Sequence, residues 1–244
     1  MKKTNVIIIC CALLLAACAV VSAFVIKGKS DIREAAQDER AVRLYGVLDD
    51  TYSRLAAVQS GSAAAPSLSP STSDDAQFKT DLLHFYAQST NIVSILPFTT
   101  VQVTEAALLK AFMSSATSVN EALAYIDRYA DRTLASAYET MDELLEKFSA
   151  VLQKYNISTS SAYTAKYNRL ASMFSSLKNS STQLLSRTRT LIKKSKSEDY
   201  DTYYTNYVEQ LSDLTGKIEQ YCAEINNEYY NLLSSLTDDF DDIQ

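Results

Sequence analysis

The sequence predicts an all-α fold, an elongated antiparallel helical bundle or coiled coil behind a single N-terminal membrane helix. Three observations carry that reading. Apolar residues recur at alternating steps of four and three along most of the C-terminal half, the period of a helix that buries one stripe. After Pro97 the remaining 147 residues contain no Pro and a single Gly, Gly216, which is too little punctuation for the frequent turns of a sheet. Near the start, Val6 to Ile26 is an uncharged run of 21 residues. At ~1.5 Å per helical residue it matches the ~30 Å hydrocarbon core of a bilayer.

The first unit, residues 1–29, is that run with its flanks, Lys2–Lys3 before and Lys27 and Lys29 after. Secretory apolar regions are shorter, about 7–15 residues, so a retained signal anchor is the preferred reading. Two alternatives stand beside it. Leu15-Ala16-Ala17-Cys18 resembles the lipobox of bacterial lipoproteins, in which the Cys is lipidated. That resemblance implies a lipid anchor at Cys18, although the stretch from Ala19 to Ile26 stays apolar where lipoproteins turn polar. Val21-Ser22-Ala23 fits a small-residue cleavage site. Lys27, Lys29, Arg33 and Arg40 outnumber the two N-terminal lysines, which does not favour export of the C-terminal body. Long domains translocate regardless of such charges, and an extracytoplasmic body is the preferred orientation. Ala12, Ala16, Ala19 and Ala23 form a weak small-residue stripe for helix pairing.

Residues 30–58 read as a membrane-proximal helix marked by Ala41, Tyr45, Leu48, Tyr52 and Leu55. Residues 59–75 read as a Ser/Ala/Pro linker with Pro66 and Pro70, too polar and broken to fold alone. Residues 76–244 read as the bundle. Phe78, Leu82, Phe85, Ser89 and Ile92 mark a short helix that ends before Pro97, since proline breaks or kinks a helix. A helix from about Thr100 to Tyr155 comes next, with a stutter at Ala137–Met141. Tyr163, Tyr167, Leu170, Phe174, Leu177, Ser181, Leu184, Thr188 and Leu191 make the next seam, in which Ser181 and Thr188 weaken packing and help set register. Tyr200, Tyr204, Tyr207, Leu211, Leu214, Ile218, Tyr221 and Ile225 make the last, which Glu228 interrupts before it resumes at Tyr229. Asn156-Ile157-Ser158-Thr159 and Ser197-Glu198-Asp199 are the expected turns. Short turns make neighbours antiparallel, so the last three helices form an up-down-up unit. The membrane-proximal helix or the one at Phe78 supplies a fourth.

Composition narrows the function. The chain carries 23 Lys+Arg against 29 Asp+Glu, a net charge of -6, so nucleic acid is not an expected partner. One His and four Cys, three of them inside the apolar run, supply no recognisable metal or cofactor set, and none is expected. His84 lacks a visible base–acid partner and no Gly-x-Ser-x-Gly elbow occurs, so no catalytic residue is assigned. Glu139, Glu143 and Glu146 read as a solvated face, Cys222 as a small buried hydrophobe, and Asp238-Asp239-Phe240-Asp241-Asp242 as a solvated acidic end. Two Asn-x-Ser patterns, at Asn156 and Asn179, have meaning only in a eukaryotic secretory cell. Most of the sixteen tyrosines read as core. Arg187, Arg189, Lys193, Lys194 and Lys196 form the one basic cluster, suited to lipid headgroups or an anionic polymer, while also complementing a helix C-terminus.

The leading expectation is a non-catalytic scaffold or interaction module with the membrane, a protein partner or a second copy of itself as partners. A sensor domain is the second. In architecture alone it is similar to the four-helix periplasmic part of chemoreceptors, though without their second span and signalling module. Replacing Cys18 with Ser is expected to leave the chain in the membrane fraction. Its release, or loss of lipid labelling, would establish the lipoprotein route.

Overall fold

The computed structural model describes residues 39–61, 74–112, 118–157 and 160–241. The apolar N-terminal run, Cys18 and most of the Ser/Ala/Pro stretch lie outside them. The described residues form six α-helices and one π-helical turn, with no strand. They are α1 (Glu39–Ser60), α2 (Asp74–Phe112), α3 (Ser118–Tyr129), the π turn (Ala130–Leu134), α4 (Ala135–Lys154), α5 (Ser161–Lys193) and α6 (Tyr200–Asp241).

The expected seams are the buried stripes. On α6, Tyr200, Tyr204, Tyr207, Leu211, Leu214, Ile218, Tyr221 and Ile225 are all buried, and the stripe resumes at Tyr229 and Leu236. On α5, Leu170, Phe174, Leu177, Leu184 and Leu191 are buried. Ser181 and Thr188 are buried with them, and neither hydroxyl reaches another helix. Thr188 folds its hydroxyl back onto the Leu184 carbonyl at 2.7 Å, while the Ser181 hydroxyl meets no hydrogen-bond partner. Any register they set therefore comes from their small size. On α1 the buried face is Ala41, Leu44, Leu48, Thr51 and Leu55, rotated from the expected stripe, whose Tyr45 and Tyr52 are only half-buried.

Two boundaries differ from the sequence expectation. The helix that begins before Phe78 does not end at Pro97; α2 runs through it for 39 residues. A proline in a helix interior costs about 3 kcal/mol through its lost N–H and its clash with the preceding turn. Here Val93 and Leu96 before it and Val101 and Val103 after it are all buried. At roughly 1.5–3 kcal/mol per buried apolar side chain, packing on both sides outweighs the proline. The second correction is a result of the first. Thr100–Phe112 closes α2 instead of opening a long helix, and by Ser118 the chain runs the other way. The pairs Thr100–Tyr129, Phe85–Phe148 and Asp81–Lys154 fix α2 antiparallel to the α3–α4 rod. Within that rod the buried residues pass from Tyr129 to Leu134 to Met141. The π turn, which inserts an extra residue, takes up the phase change expected slightly later at Ala137–Met141.

The α4–α5 connection is a Schellman cap. Asn156 takes φ 56, the left-handed conformation asparagine tolerates. Ile157 N–H then donates to Leu152 O at 2.8 Å and Asn156 N–H to Gln153 O at 3.1 Å, satisfying carbonyls at the helix end. Ser197-Glu198-Asp199 lies in the α5–α6 turn as expected.

The passes run up, down, up, down, up. The Phe78 helix, extended as α2, completes a four-rod unit with α3–α4, α5 and α6. Helix α1 is a fifth rod, packed chiefly on α2 and α6. It runs parallel to α6, tied by Arg43–Asp201 at 2.9 Å, a two-pronged Arg54–Glu219 pair at 2.8 and 2.7 Å, and Asn226 donating to Gly61 O. Glu39 and Asp241 therefore sit at opposite ends. α2 packs against every other α-helix. Pro97→Ala is expected to raise the unfolding free energy of the full chain by roughly 1–3 kcal/mol, read as a higher urea midpoint. A lower midpoint would show that the core is built around the ring.

Candidate functional site

Surface grooves arise where two helices diverge or where a stripe is only partly covered. Two such grooves lie among the described residues at the end of the bundle opposite the α5–α6 turn. The first lies between α5 and α6. Its floor is Tyr86 of α2 with Leu170, Met173 and Ile225, and its volume is about 410 Å3. Charged residues flank the seam on both helices, as expected beside a heptad stripe. Arg169 grips Glu224 through two bonds of 3.0 and 2.7 Å, and Lys166 pairs with Glu228. Arg169 also lies 5.6 Å from the Tyr221 ring centroid. The Arg169 hydrogen bond holds the Glu224 carboxyl below its ordinary value. The result is an apolar trough with two neutralised pairs on its rim.

The second groove, about 420 Å3, lies between α2 and α4. Phe85, Ala150 and Val151 floor it, and Asp81, His84, Gln88, Lys147 and Lys154 surround it. Asp81 accepts from Lys154 and from Tyr155, each at 3.0 Å. Partial burial raises the Asp81 pKa, and the hydrogen bonds from Lys154, Gln77 and Tyr155 outweigh that, leaving it below its usual value. His84 stands exposed on the rim, and among the described residues no carboxylate orients it. A general base needs such a partner and a substrate contact.

A polar cluster is buried where α1 meets α2. Glu105 is 2 % exposed, and the Tyr52 hydroxyl donates to its Oε2 at 2.6 Å. Burial, then the Glu105 charge, pushes the Tyr52 pKa up. The Tyr52 ring also packs edge-on to Phe98 at 5.7 Å. The bond pins α1 to α2 inside the core, and neither groove reaches it. The sequence carried one sign of this: Glu105 is the only acidic or basic residue, His84 aside, between Asp81 and Lys110.

The basic cluster is divided by its surroundings. Arg189 pairs with Asp127 at 2.8 Å, and Lys194 lies 5.5 Å from the Tyr203 ring centroid. Arg187, Lys193 and Lys196 are exposed. Arg40 of α1 reaches the same end, donating to Ser195 O at 2.9 Å and so capping carbonyls past the end of α5. Glu139, Glu143 and Glu146 are all exposed on α4. Cys222 is buried, and burial pushes its thiol up to about 12, which makes it a poor nucleophile. Of the sixteen tyrosines only Tyr230 is exposed. Among the described residues no group of three His, Cys, Asp or Glu side chains is placed to hold a metal ion. Both grooves were missed by sequence reasoning, because a groove depends on how far two helices diverge and a seam records only that they touch.

Comparison with protein-family models, with curated proteins and with solved structures gives no match. The reading of function therefore rests on this chain alone.

A carboxylate held below its ordinary pKa stabilises the fold above the unfolded value and loses that contribution as pH falls. Glu224 has an ordinary value of 4.5, so its share is present at pH 6 and is lost on acidification below about 4.5. The pair is partly exposed, so the share is roughly 0.2–1 kcal/mol. Urea midpoints of Glu224→Gln are expected to fall less than those of the parent between pH 6 and pH 3.5. Equal falls would show that the Arg169–Glu224 pair contributes nothing.

Proposed function

We propose that the chain is a membrane-anchored helical bundle that acts without catalysis, as a scaffold or protein-interaction module. In this reading residues 6–26 are retained as a single span and the body lies outside the cytoplasm. Lipidation at Cys18 is the alternative attachment. The α5–α6 hairpin is read as a coiled coil.

The α5–α6 groove supports the reading. It is open and apolar along its floor, and its rim charges already satisfy one another. Such a trough suits an amphipathic helix that lays one stripe into it, with apolar anchors a turn apart. Small polar substrates gain little there, because no unpaired charge points inward. The partner is another protein or a second copy of this chain. A helical ligand-binding sensor is the second reading. It is supported by the α2–α4 groove, whose volume falls in the range of small-molecule sites and whose rim offers Lys147, Gln88 and His84.

The test is photo-crosslinking of the full chain in its own cells. A photoreactive residue at Ala165, on the α5–α6 groove, is expected to capture a discrete protein or a doubled copy of the chain. The same residue at Glu139, exposed on α4 and outside the groove lining, is expected not to. Equal capture at both positions, or none under conditions that trap a known complex, would remove the scaffold reading.

A further inference from the structure

Residue 39, where the described body begins, lies at one particular end of the bundle. Arg40 bonds to Ser195 O, and Arg43 pairs with Asp201, so α1 starts level with the α5–α6 turn. Only twelve residues, 27–38, separate Ile26 from that point. Fully extended they reach ~40 Å, and far less in any compact form. If residues 6–26 span the bilayer, this end of the bundle is the one held against it.

Charge at this end is unlike that of the chain. Between residues 187 and 201 there are five Lys/Arg and three Asp/Glu, in a protein whose net charge is -6. Two of the neighbouring carboxylates are consumed locally, Asp201 by Arg43 and Asp127 by Arg189. Glu198 and Asp199 remain at the start of α6. Arg187, Lys193 and Lys196 stay exposed around the end of α5. The exposed cations at the end of α5 therefore lie where the chain leaves for the apolar segment.

We infer that this end is a headgroup-contact surface for anionic lipid, with Arg187, Lys193 and Lys196 as its contact cations. The inference rests on the membrane-anchor reading above and assigns a second membrane contact to the same molecule. The anchor makes the contact intramolecular, so a modest attraction suffices at the effective concentration a short tether imposes. Each cation near an anionic surface favours the docked state by about fivefold, screened within a Debye length. Docking holds the bundle upright, so the far end and both grooves are presented away from the bilayer.

The test uses the full chain in nanodiscs made either of phosphatidylcholine alone or with one third phosphatidylglycerol. A fluorescent amino acid is placed at Ser197, in the α5–α6 turn, or at Gln153, near the other end. Quenching by headgroup-labelled lipid is then read. Strong quenching at Ser197 but not Gln153 is expected in anionic discs, falling severalfold in neutral discs, in high salt, and in the combined Arg187→Gln, Lys193→Gln, Lys196→Gln variant. Circular dichroism of that variant checks that the bundle is intact. Quenching at Ser197 that ignores lipid charge, salt and the variant would mean that tethering alone sets the distance, which overturns the inference and leaves the anchor standing. Recovery of the chain in the soluble fraction after alkaline carbonate extraction would overturn both.

Discussion

Burial of α2 is the constraint on which the rest of the structure depends. By length and composition this helix is apolar enough to cross a membrane, yet 67% of its most apolar window is buried within the bundle. One long apolar helix is covered only if other rods surround it, and every other α-helix packs against it. Its antiparallel return through α3–α4, its parallel run beside α5 and its contact with α6 are three aspects of that one requirement. The same requirement explains why Pro97 is tolerated: stopping the helix there would strand Val101, Val103, Ala107 and Leu108, all of which are now buried.

The cost of such a centre is polar. α2 carries Thr80, Ser89, Thr90, Ser94, Thr100, Gln102, Thr104 and Glu105 into the interior. Burying a hydroxyl or a carboxylate is unfavourable unless it finds a partner. Most of the hydroxyls fold back to a carbonyl three or four residues earlier, as Thr80, Thr90, Ser94, Thr100 and Thr104 do. Glu105 is too long for that and takes Tyr52 from α1. The fifth rod thus supplies a hydrogen-bond donor to a buried carboxylate of the four-rod unit. α1 is held on its outer side by arginines, with Arg40 and Arg43 lying 4.7 Å from the Tyr200 and Tyr204 ring centroids.

Helix identity and the buried faces of α5 and α6 were legible in the sequence, because a stripe at steps of three and four has one physical meaning; on α1 the aromatic rings of Tyr45 and Tyr52 drew the predicted stripe away from Leu44 and Thr51, which take the buried face. The turns were legible where chemistry marks them: Asn156 in the left-handed conformation and the basic-to-acidic change across Ser197. The breaks were not. Proline is the strongest local breaker, and nothing local measures how much core lies beyond it. Conversely, the chain reverses between Phe112 and Ser118 with neither Gly nor Pro to announce it. The basic cluster was visible as composition, but its division into paired and exposed members depends on Asp127 and Tyr203 arriving from other helices. The Tyr52–Glu105 contact spans 53 residues, and no periodicity records it.

An odd number of rods has a mechanical consequence. A chain that crosses its own body five times enters at one pole and leaves at the other, and α6 alone measures ~63 Å at the usual helical rise. Tension applied between the poles would be shared along the lateral seam between α1 and α6, which point the same way. Parallel neighbours pulled from opposite poles slide past each other and do not peel apart, so Arg43–Asp201, Arg54–Glu219 and Asn226–Gly61 would bear the strain together. Such loading puts the α1–α6 seam in shear, with its polar ties acting side by side.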